Sequence, residues 1–348
     1  MRLSDAIEEY LGYRRATGYA NNTTRVEQQA LDLLLVTVGN IQVRSLDSRH
    51  GEMFVVAMTT KNLKPVTTNL YRGVFRRFCK WAAMKRYLPG TANPLGTTRN
   101  LTVTPKPRRR VPRRDFGRLL DACQHPQQRI IVALGLYLFL RQSEIVAIDV
   151  DKVNLEEGEI MVYRGKTKRW TPMPICTELD RELRRWLTWY ANDAAIKYGP
   201  LQPHWPLVPP RRVSQLRNDG SGKCGGRPVL PDHGQVNPLR RASQIQGKAK
   251  DALREIGWEV DSSDREGLHT LRRSGARALF DELVETGQVR DGVLRIVSSM
   301  LDHRSAQTTE HYLGLEADRE KVAALLKGRQ MFQTSSENVT PLGLAEAN

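Results

Sequence analysis

Tyr312 is a lone tyrosine in the polar stretch "QTTEHYLGL", where its neighbours give little reason for an aromatic ring in a core. His303 lies nine residues before it. A phenol, unlike a phenylalanine ring, can attack phosphorus and form a covalent phosphoester whose bond energy is kept for a later transfer. Tyr312 is therefore a candidate nucleophile for phosphoryl transfer.

Two arginines could stabilise the charge on such a phosphodiester. Arg141 ends an apolar helical segment in "LFLRQSEI", with Glu144 three residues later, and Arg272 lies one helical turn after His269 in "LHTLRRSGA". Guanidinium groups bind non-bridging oxygens bidentately, and two of them make a clamp. The alternatives are an internal ion pair between Arg141 and Glu144, because a buried arginine is costly unless paired, and an ordinary surface pair at a helix start.

Lys166 could donate the proton that a leaving 5′ oxygen needs. It lies in "GEIMVYRGKTKRWTPMPI", where two runs rich in β-forming residues predict a hairpin with Lys166 near its tip. A lysine at a hairpin tip is usually only solvated, and Lys168 is a second candidate. Counting back from Pro174 in the second strand favours Lys166.

The elements that must position these residues form two bodies. Four helices are predicted in the first body, and the pattern stops at Leu88-Pro89-Gly90. We predict a helical domain over 1–95, a basic linker over 96–112, a second domain over 113–330 and a loose tail over 331–348.

Local signals give the first body's helix starts and the second body's main segments. Helices are predicted to begin near Ser4, at Thr24 with Glu27 at capping-box spacing, and near Asp47. In the second body a buried helix is predicted over 127–140, and the Pro- and Gly-rich segment 199–238 is predicted to be a mobile excursion.

Positive charge is concentrated in the first third of the chain. The net charge is +16, and residues 1–113 contain 20 Lys and Arg against 7 Asp and Glu, which favours a polyanionic partner. The fourth predicted helix and the linker supply the candidate DNA-binding residues. These are Arg72, Arg76, Lys80, Lys106, Arg108, Arg109 and Arg110. The alternatives are a solvated charged helix face and a linker that is basic for solubility alone.

No metal, cofactor or membrane is expected. The four cysteines have no metal-binding spacing, and seven residues separate His303 from Glu310 with no third ligand group nearby. No glycine loop that would cradle a phosphate is visible. The longest apolar run, "IIVALGLYLFL", is too short to span a bilayer, and cysteine usage favours a reducing cytoplasm.

Four motifs, in this order, resemble those of the tyrosine recombinase family, the phage integrases and their relatives. "LRQSEI" resembles the first arginine box, "GKTK" the catalytic-lysine hairpin, "HTLRRSGA" the His-x-x-Arg box and "LDHRSAQTTEHY" the last box. The resemblance implies a mainly α fold with a small β-hairpin or sheet in the catalytic domain. It further implies a two-domain clamp on DNA, covering nearly the whole chain.

The resemblance also implies roles for the residues that match these motifs. Tyr312 would attack the scissile phosphate and leave a 3′-phosphotyrosyl bond and a free 5′ hydroxyl. Arg141 and Arg272 would hold the non-bridging oxygens, and Glu144 would orient Arg141.

Three further residues would handle protons or position the phosphate. Lys166 would be the general acid, His269 would take a proton from the tyrosine, and His303 would hydrogen-bond the phosphate. Arg273 and Asp302 depart from the pattern, since the family often has histidine and usually glycine at these positions.

The implied function is a site-specific recombinase that acts as a homo-tetramer on double-stranded DNA at core or attachment sites, through a Holliday junction. Integration of phage DNA in the host bacterial cytoplasm, and its excision, come first, with DNA-bending and directionality proteins from host or phage as accessory partners. Resolution of plasmid or chromosome dimers, a related topoisomerase and a catalytically silent DNA-binding relative are the alternatives. The segment "EADREKVAALLKGRQMF" is expected either to pack on its own domain or to dock on a neighbouring subunit.

Overall fold

Four helices pack around one apolar core in the first part of the chain. They are α1 (Leu3–Ala16), α2 (Asn21–Val38), α3 (Ser48–Thr60) and α4 (Pro65–Met84). This computed structural model describes residues 1–90, 93–103, 109–217, 225–228, 231–260 and 266–315. The chain divides by its internal contacts into two units, Met1–Pro107 and Arg108–Asn348.

Two of the predicted helix starts have different outcomes. Asp47 caps α3 as predicted, because its side chain accepts hydrogen bonds from the backbone N–H groups of Arg49 and His50. The start predicted at Thr24 is wrong, since α2 begins at Asn21. Glu27 is buried inside α2, where its carboxylate pairs with Arg14 at 2.8 Å instead of capping a helix.

The second unit is built around a helix that is buried on nearly all sides. This is α6 (Pro126–Tyr137), preceded by the short α5 (Phe116–Asp121) and followed by α7 (Gln142–Ile145). Its apolar residues lie in a core that also contains side chains from α8 (Thr177–Ala195) and α9 (Gln246–Glu255). The predicted buried helix is confirmed, although it ends at Tyr137.

Helix α10 (Leu268–Glu285) crosses the end of α6 at very short range. A Cβ atom on Gly275 would meet the carbonyl oxygen of Leu136 and the ring of Phe139, so only glycine fits there without a shift of backbone. This close approach brings the start of α10 next to the segment that follows α6. Helices α11 (Arg290–Met300) and α12 (Ala306–Leu313) complete the described part of this unit.

The predicted hairpin is confirmed and belongs to a three-stranded antiparallel sheet. Its strands are β1 (Val153–Asn154), β2 (Glu159–Arg164) and β3 (Arg169–Pro174), in that spatial order. Arg164 pairs with Arg169, so the tip consists of residues 165–168.

The segment 199–238 is packed more closely than its composition predicted. Trp205, Leu207, Val208 and Val236 are buried in the main core of the second unit. Strands β4 (Val213–Arg217) and β5 (Gly225–Pro228) pair within the segment. The prediction of a mobile excursion is wrong for these residues, because prolines and glycines make the backbone irregular without preventing apolar side chains from anchoring it.

The described residues thus confirm the mainly α fold with a small antiparallel sheet. The exact boundaries 1–95, 96–112, 113–330 and 331–348 stay predictions, and the tail lies outside the described residues. No helix in the described ranges is both long and apolar enough to cross a membrane.

Candidate active site

One buried carboxylate, that of Glu144, holds three guanidinium groups. Its oxygens lie 2.8 Å from Nη1 of Arg141, 3.1 Å from Nη1 of Arg164 and 3.6 Å from Nη1 of Arg272. Glu144 also accepts a hydrogen bond from the backbone N–H of Arg141 at 2.7 Å. We call these four residues the Glu144 cluster.

Main-chain carbonyl groups fix the guanidinium groups of the Glu144 cluster further. Nη2 of Arg272 donates to the carbonyl oxygen of Leu301 at 2.6 Å, and Nη1 donates to that of Phe139. Nη2 of Arg141 donates to the same Leu301 oxygen at 3.4 Å. The carbonyl of Leu301 therefore joins the turn before His303 to both predicted phosphate-binding arginines.

Burial and charge oppose each other in the Glu144 cluster. Burial alone would raise the pKa of Glu144, but the hydrogen bond from Arg141 and the charges of Arg164, Arg272 and Arg141 lower it below its ordinary value. Burial lowers the pKa of Arg272 to about 10, and the charges of Arg141 and Arg164 act in the same direction. Three cations around one anion leave an excess of positive charge, which suits a phosphate.

Sequence reasoning missed Arg164. It occupies the last of three inward-facing positions of β2, after Ile160 and Val162, and its side chain is 1% exposed. An arginine that continues an apolar alternation signals a buried cation in need of a partner, but the sequence does not say which partner.

The hydroxyl of Tyr312 is a buried polar group. Helix α12, which starts at the Ser305 cap, carries Tyr312 at 9% exposure, and the hydroxyl makes no hydrogen bond among the described residues. Burial raises the pKa of Tyr312, while the charges of Arg272, Arg273 and Arg141 lower it part of the way back. Such a phenol is protonated at neutral pH and needs a proton acceptor before it can attack.

Two histidine rings flank Tyr312. The ring centroid of His303 lies 5.3 Å from that of Tyr312, and that of His269 lies 6.1 Å away. Nδ1 of His303 is 3.0 Å from Oγ1 of Thr309, which donates in turn to Oγ of Ser298. That direction assigns the Nδ1 proton to His303 and leaves its Nε2 as the available acceptor.

Positive surroundings keep His303 neutral. Burial lowers its pKa to about 4, and the charges of Arg272, Arg141 and Lys166 add to this shift. A neutral imidazole beside a protonated phenol can accept a proton, whereas a cation there would be repelled by the arginines.

Lys166 is exposed at the hairpin tip and lies close enough for its charge to lower the pKa of His303. Lys168 is also exposed and has a left-handed backbone with φ of 53°. Both residues that depart from the family pattern make defined contacts. Asp302 accepts hydrogen bonds from Thr167 and Arg169 at the hairpin tip, and Arg273 donates to the carbonyl oxygen of Arg109.

The second unit therefore brings Arg141, Glu144, Arg272, His303 and Tyr312 together, with His269 and Lys166 beside them. Guanidinium groups can bind non-bridging oxygens, a phenol can attack, and histidine and lysine can transfer protons. Among the residues that the structure describes, no group of three or more His, Cys, Asp or Glu could hold a metal ion.

The candidate DNA-binding residues do not share one surface. Arg72 is 1% exposed, and its guanidinium donates to Asn100 and to the carbonyl oxygen of Thr98, so its prediction as a DNA-facing residue is corrected. A long side chain on a helix can turn inward when a loop offers acceptors. Arg76 and Lys80 are exposed on α4.

The linker arginines have partners within the second unit. Arg109 donates to the carbonyl oxygen of Glu259 and lies over the ring of Trp258 at 4.2 Å. Arg110 donates to the carbonyl oxygen of Leu313, next to Tyr312. Lys106 and Arg108 lie outside the described residues, as does the segment "EADREKVAALLKGRQMF".

Comparisons with known proteins agree with this arrangement. The model of the phage integrase family matches residues 109–319. The tyrosine recombinase XerC of Proteus mirabilis is 23% identical over 328 residues, which cover 90% of this chain and 90% of the relative.

Two solved structures show the same fold. A lambda integrase dimer bound to a COC′ core site has a TM-score of 0.63 at 12% identity, covering 90% of this chain and 77% of that one. A lambda integrase tetramer bound to a Holliday junction has a TM-score of 0.60 at 13% identity, covering 88% of this chain and 78% of that one.

Proposed function

Because the chain belongs to the phage integrase family of tyrosine recombinases, which break and rejoin DNA strands, we propose that Tyr312 is the nucleophile of a site-specific recombinase that integrates phage DNA. The observation that carries this proposal is the Tyr312 hydroxyl, buried without a hydrogen-bond partner among the described residues, beside the arginines of the Glu144 cluster. A buried polar group left unpaired costs free energy, so its retention indicates a role in binding or chemistry.

In the first step, the Tyr312 oxygen forms a bond to the scissile phosphorus while the bond to the 5′ oxygen breaks. Lys166 gives its proton to the 5′ oxygen, and His269 takes the proton of the phenol. The products are a 3′-phosphotyrosyl linkage and a 5′ hydroxyl, so the number of phosphoester bonds is conserved. A 5′ hydroxyl from the partner duplex then reverses the step and rejoins the strands.

The positive charge of the site favours both stages of this reaction. Arg141 and Arg272 would hold the two non-bridging oxygens, since both are already fixed by Glu144 and by the carbonyl of Leu301. Preorganised cations stabilise the charge of the transition state without reorganising during the step. His303 would add one hydrogen bond to the phosphate.

Two duplexes require several active sites, so we propose that the protein acts as a homo-tetramer on DNA and passes through a Holliday junction. The lambda integrase tetramer bound to a Holliday junction supports this assembly by analogy of fold. DNA-bending and directionality proteins from host or phage would bias the reaction toward integration or excision.

Resolution of plasmid or chromosome dimers is the second candidate. The likeness to a XerC recombinase over 90% of both chains favours it, whereas the likeness in fold to lambda integrase favours integration. The two functions share their chemistry and differ in the DNA sites that are joined.

The direct test captures the covalent intermediate on DNA whose target site has not been identified. Wild-type protein and Tyr312→Phe are each incubated with fragmented host and phage DNA and denatured, and the attached ends are sequenced. We expect recurrent ends on the wild type and none on the variant. Ends that map to a phage–host junction support integration, and ends at a repeated plasmid or chromosomal site support dimer resolution.

A failed capture would also be informative. Specific DNA binding without covalent DNA from either protein would favour the catalytically silent relative. If covalent DNA forms, two duplexes that carry the recovered site should yield a Holliday junction. Relaxation of supercoils without any junction would instead identify a topoisomerase.

A further inference from the structure

Asp302 has an unusual backbone for its residue type. Its φ is 52°, in the left-handed region that favours glycine, and it directly precedes His303 in the turn after α11. Asparagine and aspartate visit this region more readily than other side chains, but glycine does so at no steric cost. An aspartate here suggests that its carboxylate contributes something that glycine lacks.

The carboxylate of Asp302 contacts the tip of the β2–β3 hairpin at two points. Oδ2 accepts a hydrogen bond from Oγ1 of Thr167 at 3.3 Å, and Oδ1 lies 3.2 Å from Nη2 of Arg169. The side chain of Asp302 is 6% exposed, although that of Arg169 is 64% exposed. Residues on both sides of Lys168, and the neighbour of Lys166, are thus held by one side chain.

A second attachment lies at the base of the same tip. Arg164, the last residue of β2, donates from Nη2 to the carbonyl oxygen of Met300 at 2.9 Å and pairs with Glu144. Both attachments join the hairpin to residues 300–302, immediately before His303. The four-residue tip is therefore anchored at both ends, to the turn whose Leu301 carbonyl binds Arg141 and Arg272.

We propose that Asp302 is a positioning residue that tethers the hairpin tip to the turn before His303 and so holds Lys166 within reach of the leaving 5′ oxygen. This inference rests on the proposed function, in which Lys166 is the general acid. A lysine side chain has many rotamers, and a mobile tip would multiply them by its backbone conformations. Anchoring the tip removes the backbone part of that entropy before DNA binds.

The alternative is that Asp302 is only a tolerated residue in a turn that needs a positive φ. Asp302→Gly separates the two explanations, because glycine relieves the backbone conformation but removes the tether. The alternative expects unchanged or improved behaviour. The tether expects a slower leaving-group step with DNA binding intact.

The experiment compares two duplexes that carry the recovered core site. One has an ordinary scissile phosphodiester, and the other has sulfur in place of the 5′ bridging oxygen. A thiolate leaves without protonation, so a defect in the general acid disappears on the sulfur substrate. Single-turnover cleavage is measured for wild type, Asp302→Gly, Asp302→Asn, Lys166→Ala and the control Asp180→Asn, which disrupts an exposed ion pair with Arg184 on α8.

We expect Asp302→Gly to lose about 10- to 100-fold on the ordinary substrate, as a misplaced catalytic group does, and to lie near wild type on the sulfur substrate. Lys166→Ala should show the same pattern with a larger loss. Asp302→Asn, which keeps the acceptor for Thr167, should lie between Asp302→Gly and wild type. The control should match wild type on both substrates.

Amide hydrogen exchange of the free protein gives a readout that does not depend on cleavage. Exchange over residues 165–169 should accelerate in Asp302→Gly and not in Asp180→Asn, because the tip loses its anchor. An unchanged exchange pattern, or equal losses on the two substrates, overturns the tether. Wild-type protein that cleaves neither substrate overturns the proposed function instead, and the positioning role with it.

Discussion

At the scale of the residue, Glu144 decides how the arginines of the site can act. Its carboxylate lies against Arg141, Arg164 and Arg272, and its own pKa is kept below the ordinary value by their charges and by the Arg141 backbone. Each guanidinium contacts this carboxylate and a main-chain carbonyl with different nitrogens. A smaller cation could make only some of these contacts.

The first prediction concerns Arg141→Lys. We expect a loss of about 10²–10³-fold in the cleavage rate, because an ammonium group cannot contact Glu144 and a phosphate oxygen with a planar fork. DNA binding should stay within a few fold of wild type in a mobility-shift assay. Arg184→Lys on the exposed side of α8 is the matched control and should leave both unchanged. Loss of binding together with cleavage would assign Arg141 a structural role.

The second prediction concerns pH. The pKa of His303 is lowered to about 4 by burial and by nearby cations, from 6.5 in the unfolded chain. Above pH 6.5 neither state is protonated, so the stability is complete. As the pH falls from 6.5 to 4 only the unfolded state takes up a proton, and the free energy of unfolding decreases.

The size of this effect is about 1–2 kcal/mol, below the full value for the shift because His303 is only half buried. Urea unfolding at several pH values measures it, and His303→Gln should remove this contribution. A pH profile that is unchanged in the variant would contradict the neutral, buried state of His303.

At the scale of the element, the contact between α6 and α10 sets the position of Arg272. Gly275 allows α10 to approach the carbonyl of Leu136, and Arg272 on the same helix then reaches the carbonyl of Phe139. The packing of two helices thus places an arginine of α10 beside Arg141, which follows α6. The geometry of the site depends on this contact as much as on its own hydrogen bonds.

The third prediction is that Gly275→Ala lowers the free energy of unfolding by about 1–3 kcal/mol, because the added methyl group must displace backbone in a packed core. It should also slow cleavage, since Arg272 moves with α10. Gly292→Ala on α11, where a Cβ meets nothing within 4 Å, is the control and should raise stability slightly. Equal stability of both variants in denaturant titrations would contradict the close approach.

At the scale of the whole molecule, charge and candidate chemistry are separated along the chain. Residues 1–113 hold most of the excess positive charge, whereas the candidate catalytic residues all lie in the second unit. Long-range attraction to DNA and strand cleavage are therefore assigned to different parts of the chain.

The fourth prediction tests that assignment through salt. Replacing both Arg76 and Lys80 by glutamine should reduce the slope of log affinity against log salt by about 1–2, because each phosphate contact contributes about 0.9. Arg181→Gln with Lys197→Gln, an equal change of charge at and beyond α8, is the control and should leave the slope nearly unchanged. Equal slopes for the two double variants would assign the effect to net charge alone.

The sequence by itself determined the candidate chemistry and the elements that carry it. The spacing of His269 and Arg272 within one helix, and the strand pattern around Lys166, are local features that hold wherever those elements form. The order of the motifs identified the family that the comparisons then showed. The roles of the individual residues stay predictions.

Only the tertiary structure decided which groups meet across long distances in sequence. Arg164 joins Glu144, Arg72 turns inward to Asn100, and Asp302 reaches Arg169 from 133 residues away. None of these contacts has a periodic or local signal, because each depends on where two separately formed elements come together. The buried apolar residues of 199–238 escaped prediction for the same reason, since their partners lie elsewhere in the chain.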